Sequence, residues 1–118
     1  MAKKSSAPTA LAVTADRAQR LHRLLRLLGQ GPQARPTLLR KLRLGVRGFY
    51  RDLEVLRAVG IAVKLATGKY HLLDPLEPSL DRLPFPDPNL SLGEATLLSK
   101  GRSSVHRKVR LLVERITG

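Results

Sequence analysis

Leu21, Leu24, Leu25 and Leu28 recur at helical spacing, so a first helix is predicted over Arg17 to about Leu28, with Asp16 as its cap. Arg17, Arg20, Arg23 and Arg26 recur every third residue on the other side and read as a solvated face. The stretch "GQGPQARP" ends this helix. Thr37 is placed to cap a short second helix, Leu38 to about Leu42, followed by a tight turn through Arg43 and Leu44. A third helix is predicted from about Gly45 to Val59, with Phe49, Leu53 and Leu56 as its buried stripe and Gly60 to end it. The alternation of Ile61, Val63 and Leu65, then of Tyr70 and Leu72, around "ATGK" predicts a β-hairpin with strands of about five residues.

Residues 74–90 hold five of the eight prolines and read as a linker or an extended strap, with Leu83 and Phe85 apolar enough to pack on what precedes them. Ser91-Leu92-Gly93-Glu94 is a capping box that opens a short helix, and Gly101 breaks it. Ser103 or Ser104 would cap a last helix, in which Val105, Val109, Leu112 and Ile116 follow helical spacing. Such a short amphipathic hairpin needs a partner surface. It either folds back on the residues before it or makes a homodimer through these C-terminal helices, and the pattern leaves both open.

Charge narrows the class of partner. The chain of 118 residues carries a formal net charge of +13. Residues 1–73 contribute +12, residues 74–90 contribute −3 and residues 91–118 contribute +4. That is the footprint of a polyanion binder, nucleic acid above all, with the contact surface in the first block. The absence of cysteine removes disulfides, thiolate metal sites and cysteine nucleophiles, and suits a reducing, cytoplasmic interior. No apolar run approaches a membrane span, so no membrane partner is expected.

Helix, helix, helix and hairpin is the order of a winged helix-turn-helix, in which the third helix enters the DNA major groove and the hairpin touches the backbone. The expected fold class is therefore mainly α with a small β-hairpin, a winged helix-turn-helix plus a short C-terminal helical appendage. The expected organisation is a disordered basic tail over 1–15, the winged unit over 16–73, the proline-rich linker over 74–90 and the helical hairpin over 91–118. Arg47 and Arg51 lie one turn apart on the outer face of helix 3, with Gly48 beside them leaving room for close backbone approach. Tyr50 borders the core stripe with its hydroxyl free to reach a phosphate. Lys41 and Arg43 near the turn, and Lys64 and Lys69 in the hairpin, are candidate phosphate contacts. Asp52 and Glu54 are expected to orient arginines.

"FYRDLEVLRAVGIAV" followed by "GKYHL" resembles the N-terminal winged helix-turn-helix of WYL-type bacterial transcriptional regulators. The resemblance spans residues 17–73 and is strongest over Tyr50-Arg51-Asp52-Leu53-Glu54. "LPFPDPNLSLGEATLL" is similar to the helix that follows that domain in the family. In the gapless register Arg47, Tyr50 and Arg51 match the family's residues, which implies contact with phosphates or base edges. Arg43 replaces the turn glycine, Gly45 the capping serine and Gly48 a threonine. The family's sensor domain would come next and is not among these residues. The resemblance implies a sequence-dependent double-stranded DNA binder that regulates transcription.

Other chemistry fails on spacing. Gly68-Lys69 looks like the end of a phosphate-binding loop, but Val63 stands at its first glycine position and Tyr70 at its Ser/Thr position. His22, His71 and His106 lack the spacing of zinc ligands, and His22 and His71 could be partly core. No enzyme and no cofactor are expected. Asn89-Leu90-Ser91 matches a glycosylation sequon that matters only in a secreted protein. The rival reading is a winged helix used as a protein-docking or assembly module, or a nonspecific nucleic-acid binder.

Overall fold

The computed structural model describes residues 13–86, 90–100 and 104–118, with nothing said of the side chains at 104 and 105. The expected basic tail therefore falls almost wholly outside the described residues, as do Asn89, Gly101 and Ser103.

Helix α1 runs Ala15–Gln30, one turn longer than the apolar stripe alone predicts. Its cap is Thr14 rather than Asp16: the Thr14 side chain accepts a hydrogen bond from the Arg17 amide at 3.1 Å. A two-residue strand, β1 (Gln33–Ala34), follows. Helix α2 (Arg35–Leu42) then starts two residues before Thr37, because Pro36 fits the first turn, where its missing N–H costs nothing. Helix α3 spans Val46–Ala58. Strands β2 (Val63–Ala66) and β3 (Lys69–Leu72) form the expected hairpin, each with four residues. The sheet order is β1-β3-β2, antiparallel throughout, with Gln33 opposite Tyr70 and Val63 opposite Leu72.

The chain is thus mainly helical with one small three-stranded antiparallel sheet. The order α1–β1–α2–α3–β2–β3 is that of a winged helix-turn-helix. β1 was not foreseen, since two residues carry no periodicity, yet it anchors β3 on one side and leaves β2 as an edge.

Of the two readings of this segment, a linker or an extended strap, residues 74–86 pack as a strap, though a partly helical one. They contain a short helix, α4 (Leu76–Asp81), entered through Pro75 and holding Pro78 within its first turn. Ser79, Leu80, Leu83 and Phe85 are buried. The Leu92 amide donates to the Leu83 carbonyl at 2.8 Å, tying the strap to α5 (Leu92–Leu98). The capping box at Ser91 and Glu94 forms as expected: the Ser91 hydroxyl accepts from the Glu94 amide, and the Ser91 amide donates to Glu94 Oε1 at 2.9 Å. Helix α6 (Ser104–Thr117) packs in cis along α1, with Val113 and Ile116 buried and Arg115 Nη2 2.7 Å from Asp16 Oδ1. One core joins all of these elements, and α1 runs through it with Leu21, Leu24, Leu25 and His22 enclosed. Among the described residues, no helix is long and apolar enough to cross a membrane.

Candidate nucleic-acid interface

The α2–α3 corner is set by two tight helix ends. At the end of α2 the Leu44 amide reaches back to the Leu39 carbonyl at 2.9 Å and the Arg43 amide to the Arg40 carbonyl at 3.3 Å. This closing pattern needs a left-handed residue, normally glycine, and Arg43 takes it with φ 55°. At the end of α3 the Ile61 amide reaches the Leu56 carbonyl at 2.9 Å, and there Gly60 supplies the positive φ of 82°. Leu56 and Ile61 are both buried, so the chain leaves α3 pinned to the core before entering β2.

Helix α3 buries a different stripe from the one its apolar residues suggest. Phe49 and Leu56 are fully enclosed, as expected, but Asp52 and Val55 complete the buried face, while Leu53 is only half-buried. Asp52 is 0% exposed and is held by α1: Arg20 donates from Nε at 2.7 Å and Nη2 at 3.0 Å, and Arg17 from Nε at 3.2 Å. The hydrogen bond to Asp52 raises the pKa of the Arg20 guanidinium further above its ordinary value. Arg17 and Arg20 therefore do not belong to a solvated face. They neutralise a core carboxylate and fix the angle between α1 and α3. Glu54, expected to orient arginines as Asp52 does, is exposed and in no ion pair among the described residues.

With Asp52 turned inward, the outward face of α3 carries Arg47 and Arg51, both exposed, with exposed Tyr50 beside them. Lys41 and Arg43 are exposed at the adjoining corner. None of these four cations forms an ion pair with a carboxylate among the described residues. A basic ridge is the result. Arg23, on the neighbouring part of α1, braces it by donating to the Lys41 carbonyl at 3.0 Å. Gly48 makes its close approach inside the protein: an added Cβ would lie 3.3 Å from Leu44 Cδ2. A side chain there would press on the tip of Leu44, so the bare Cα eases the fit of α3 against the turn.

Lys64 and Lys69 are exposed but are not gathered with the α3 arginines. Strand alternation puts Val63, Leu65 and Tyr70 on the face toward α3 and the two lysines on the other. Lys69 directly follows the turn, where Thr67 and Gly68 both have positive φ, 53° and 78°. Between α3 and the hairpin lies an open cleft of about 700 Å³, lined by Tyr50, Leu53, Arg57, Ile61, Val63 and Leu65 among others.

Tyr50 joins the parts of the interface. Arg35, the first residue of α2, donates from Nη1 to the Tyr50 hydroxyl at 2.8 Å. The Tyr70 hydroxyl and then the Arg35 guanidinium hold the Tyr50 phenol below its ordinary pKa, while burial pushes that of Tyr70 up. Tyr70 also stacks edge-on against Phe49, ring centres 5.2 Å apart. Arg35 was missed by sequence reading, where it stood inside a segment taken as a helix breaker.

Among the described residues, no group of His, Asp and Glu side chains is arranged to hold a metal ion. No protein-family model, curated protein or solved structure compared with the chain matches it.

Proposed function

We propose that the protein is a sequence-dependent double-stranded DNA binder that regulates transcription, acting in the cytoplasm. The observation that carries this reading is the α3 face: Arg47 and Arg51 stand exposed one turn apart on a helix in which one of the two carboxylates, Asp52, is sequestered by α1. Arg47 and Arg51, with Lys41 and Arg43 at the adjoining corner, outnumber Glu54, the one exposed carboxylate of α3, and leave that side net positive, as a helix that enters the negative groove of a duplex requires. In this reading Arg47 and Arg51 reach base edges or phosphates, Lys41 and Arg43 grip the flanking backbone, and the hairpin lysines touch phosphate beyond the groove. The resemblance to WYL-type regulators over residues 17–73 supports the same assignment, and the cysteine-free chain suits a reducing compartment.

In vitro selection of the pure protein on random duplex DNA at physiological salt tests it. An enriched motif, with affinity that falls steeply as salt rises, is the expected result. Retained DNA with no enriched motif reduces the protein to a nonspecific binder. No retained DNA at all overturns the reading in favour of a protein-docking winged helix.

A further inference from the structure

The pairing of Arg35 with Tyr50 is unusual in what it lacks. An arginine is normally ordered by a carboxylate that takes up its charge. Here the guanidinium is ordered by a neutral phenol, and no carboxylate forms an ion pair with Arg35 among the described residues. Nη1 is engaged at 2.8 Å on an exposed side chain, and the guanidinium carries further N–H donors at Nε and Nη2. The Tyr50 oxygen accepts from Arg35, and the directions of the two phenol shifts, Tyr50 down and Tyr70 up, make Tyr70 a donor to it as well, so the Tyr50 hydrogen is available to a further acceptor. Tyr50 is 41% exposed, and Tyr70, beneath it, is buried. Charge and donors thus converge at one point on the surface, where α2, α3 and β3 meet.

We propose that Arg35 and Tyr50 form one phosphate-binding pair, which clamps a single phosphodiester of the duplex backbone beside the α3 arginines. This rests on the duplex-DNA reading above and adds to it a residue and a role. The guanidinium presents a planar fork that matches two phosphate oxygens, and the hydroxyl donates to one of them. The Tyr70 hydroxyl and the Arg35 guanidinium hold the Tyr50 pKa below its ordinary value, which fits the same role, since a more acidic hydroxyl is the stronger donor. Tyr70 fixes the depth of the pair through its T-shaped contact with Phe49. The site takes a phosphate anion and carries no base information, so its contribution is equal on all sequences.

The test uses the full chain and a duplex it binds. Arg35→Ala and Tyr50→Phe should each weaken binding by about tenfold, on the preferred duplex and on random duplex alike. The double variant should be little worse than either single one, because the two side chains hold one phosphate. Replacing backbone phosphates one at a time by neutral methylphosphonate should reveal a linkage at which the wild type loses about tenfold and Arg35→Ala loses nothing. Arg35→Lys should recover only part of the loss, lacking the fork. Inorganic phosphate should weaken wild-type binding more than it weakens Arg35→Ala binding; competition that affects both proteins alike across the titration overturns the pairing. Wild-type binding with Arg35→Ala unchanged overturns this proposal and leaves the DNA reading standing. No binding of any duplex by the wild type overturns both.

Discussion

Arg20 of α1 holds Asp52 of α3 through a two-pronged contact, Nε to Oδ2 at 2.7 Å and Nη2 to Oδ1 at 3.0 Å, with Arg17 adding a third hydrogen bond. A carboxylate removed from water costs several kcal/mol unless all its oxygens are satisfied, and here they are. Asp52→Asn keeps the shape and removes the charge, leaving two partly exposed arginines to find water. It is expected to lower stability by about 2–4 kcal/mol, read as the urea midpoint. Arg20→Ala should cost more than Arg17→Ala, since it removes the two-pronged contact. Equal losses would show that the carboxylate is satisfied by charge alone and not by geometry.

Arg43 sits in the left-handed conformation that closes α2. A side chain with a Cβ is strained there, whereas glycine is not. Arg43→Gly is expected to raise stability by about 0.5–1 kcal/mol after the greater freedom of glycine in the unfolded chain is counted. The same change should weaken duplex binding. Opposite signs in urea unfolding and in duplex titration would mark Arg43 as kept for its charge at a cost in folding.

The hairpin turn places the β-branched Thr67 at φ 53°, where asparagine is far better tolerated. The hydroxyl turns back onto the carbonyl of Ala66 at 2.6 Å. Thr67→Asn should stabilise the protein by about 0.5–1 kcal/mol. Unchanged thermal midpoints would show that this local contact offsets the backbone strain.

His22 is buried on α1, and its pKa is lowered by desolvation first and by Arg26 second, with Glu77 of α4 acting in the opposite direction. Above the ordinary value of 6.5 the imidazole is neutral in both the folded and the unfolded chain, and its contribution to stability is fully present. As pH falls below 6.5 the unfolded chain takes up the proton first. Stability is therefore lost until pH has passed the lower folded value. Urea midpoints on either side of pH 6.5 should show this loss, and His22→Gln should flatten that part of the curve.

Arg47→Ala should lower affinity for a selected duplex by about 1–3 kcal/mol and relax preference at one base pair if the side chain pairs with guanine. Losses that are equal on every sequence would assign Arg47 to phosphate. Arg51→Ala, one turn on, separates the two roles when measured on the same panel of duplexes.

The order of elements was legible because it depends on local signals: leucine spacing in α1, Gly60 after α3, alternation around Gly68. β1 and α4 were not. A two-residue strand has no period, and Pro75 and Pro78, which read as breakers, occupy the cap and the first turn of Leu76–Asp81, where proline is tolerated. The candidate interface was legible in its charges but not in its pairings. Arg47 and Arg51 could be assigned to the outer face by spacing alone. That Asp52 turns inward depends on arginines 32 and 35 residues away, and the bond from Arg35 to Tyr50 spans 15 residues. Neither partner carries a local mark of its engagement. The same long-range contact misdirected the reading of α3, since a core position filled by an aspartate is invisible to a search for apolar stripes.

Helix α1 is shared. Asp52 grips it from the α3 side, and α6 lies along it from the other, with Arg115 closed onto Asp16. The helix that carries the outward arginines therefore has no joint of its own. Its aim is set by a shaft on which the C-terminal helices also rest, so the arginines that face outward from α3 and the last helix of the described chain share one foundation.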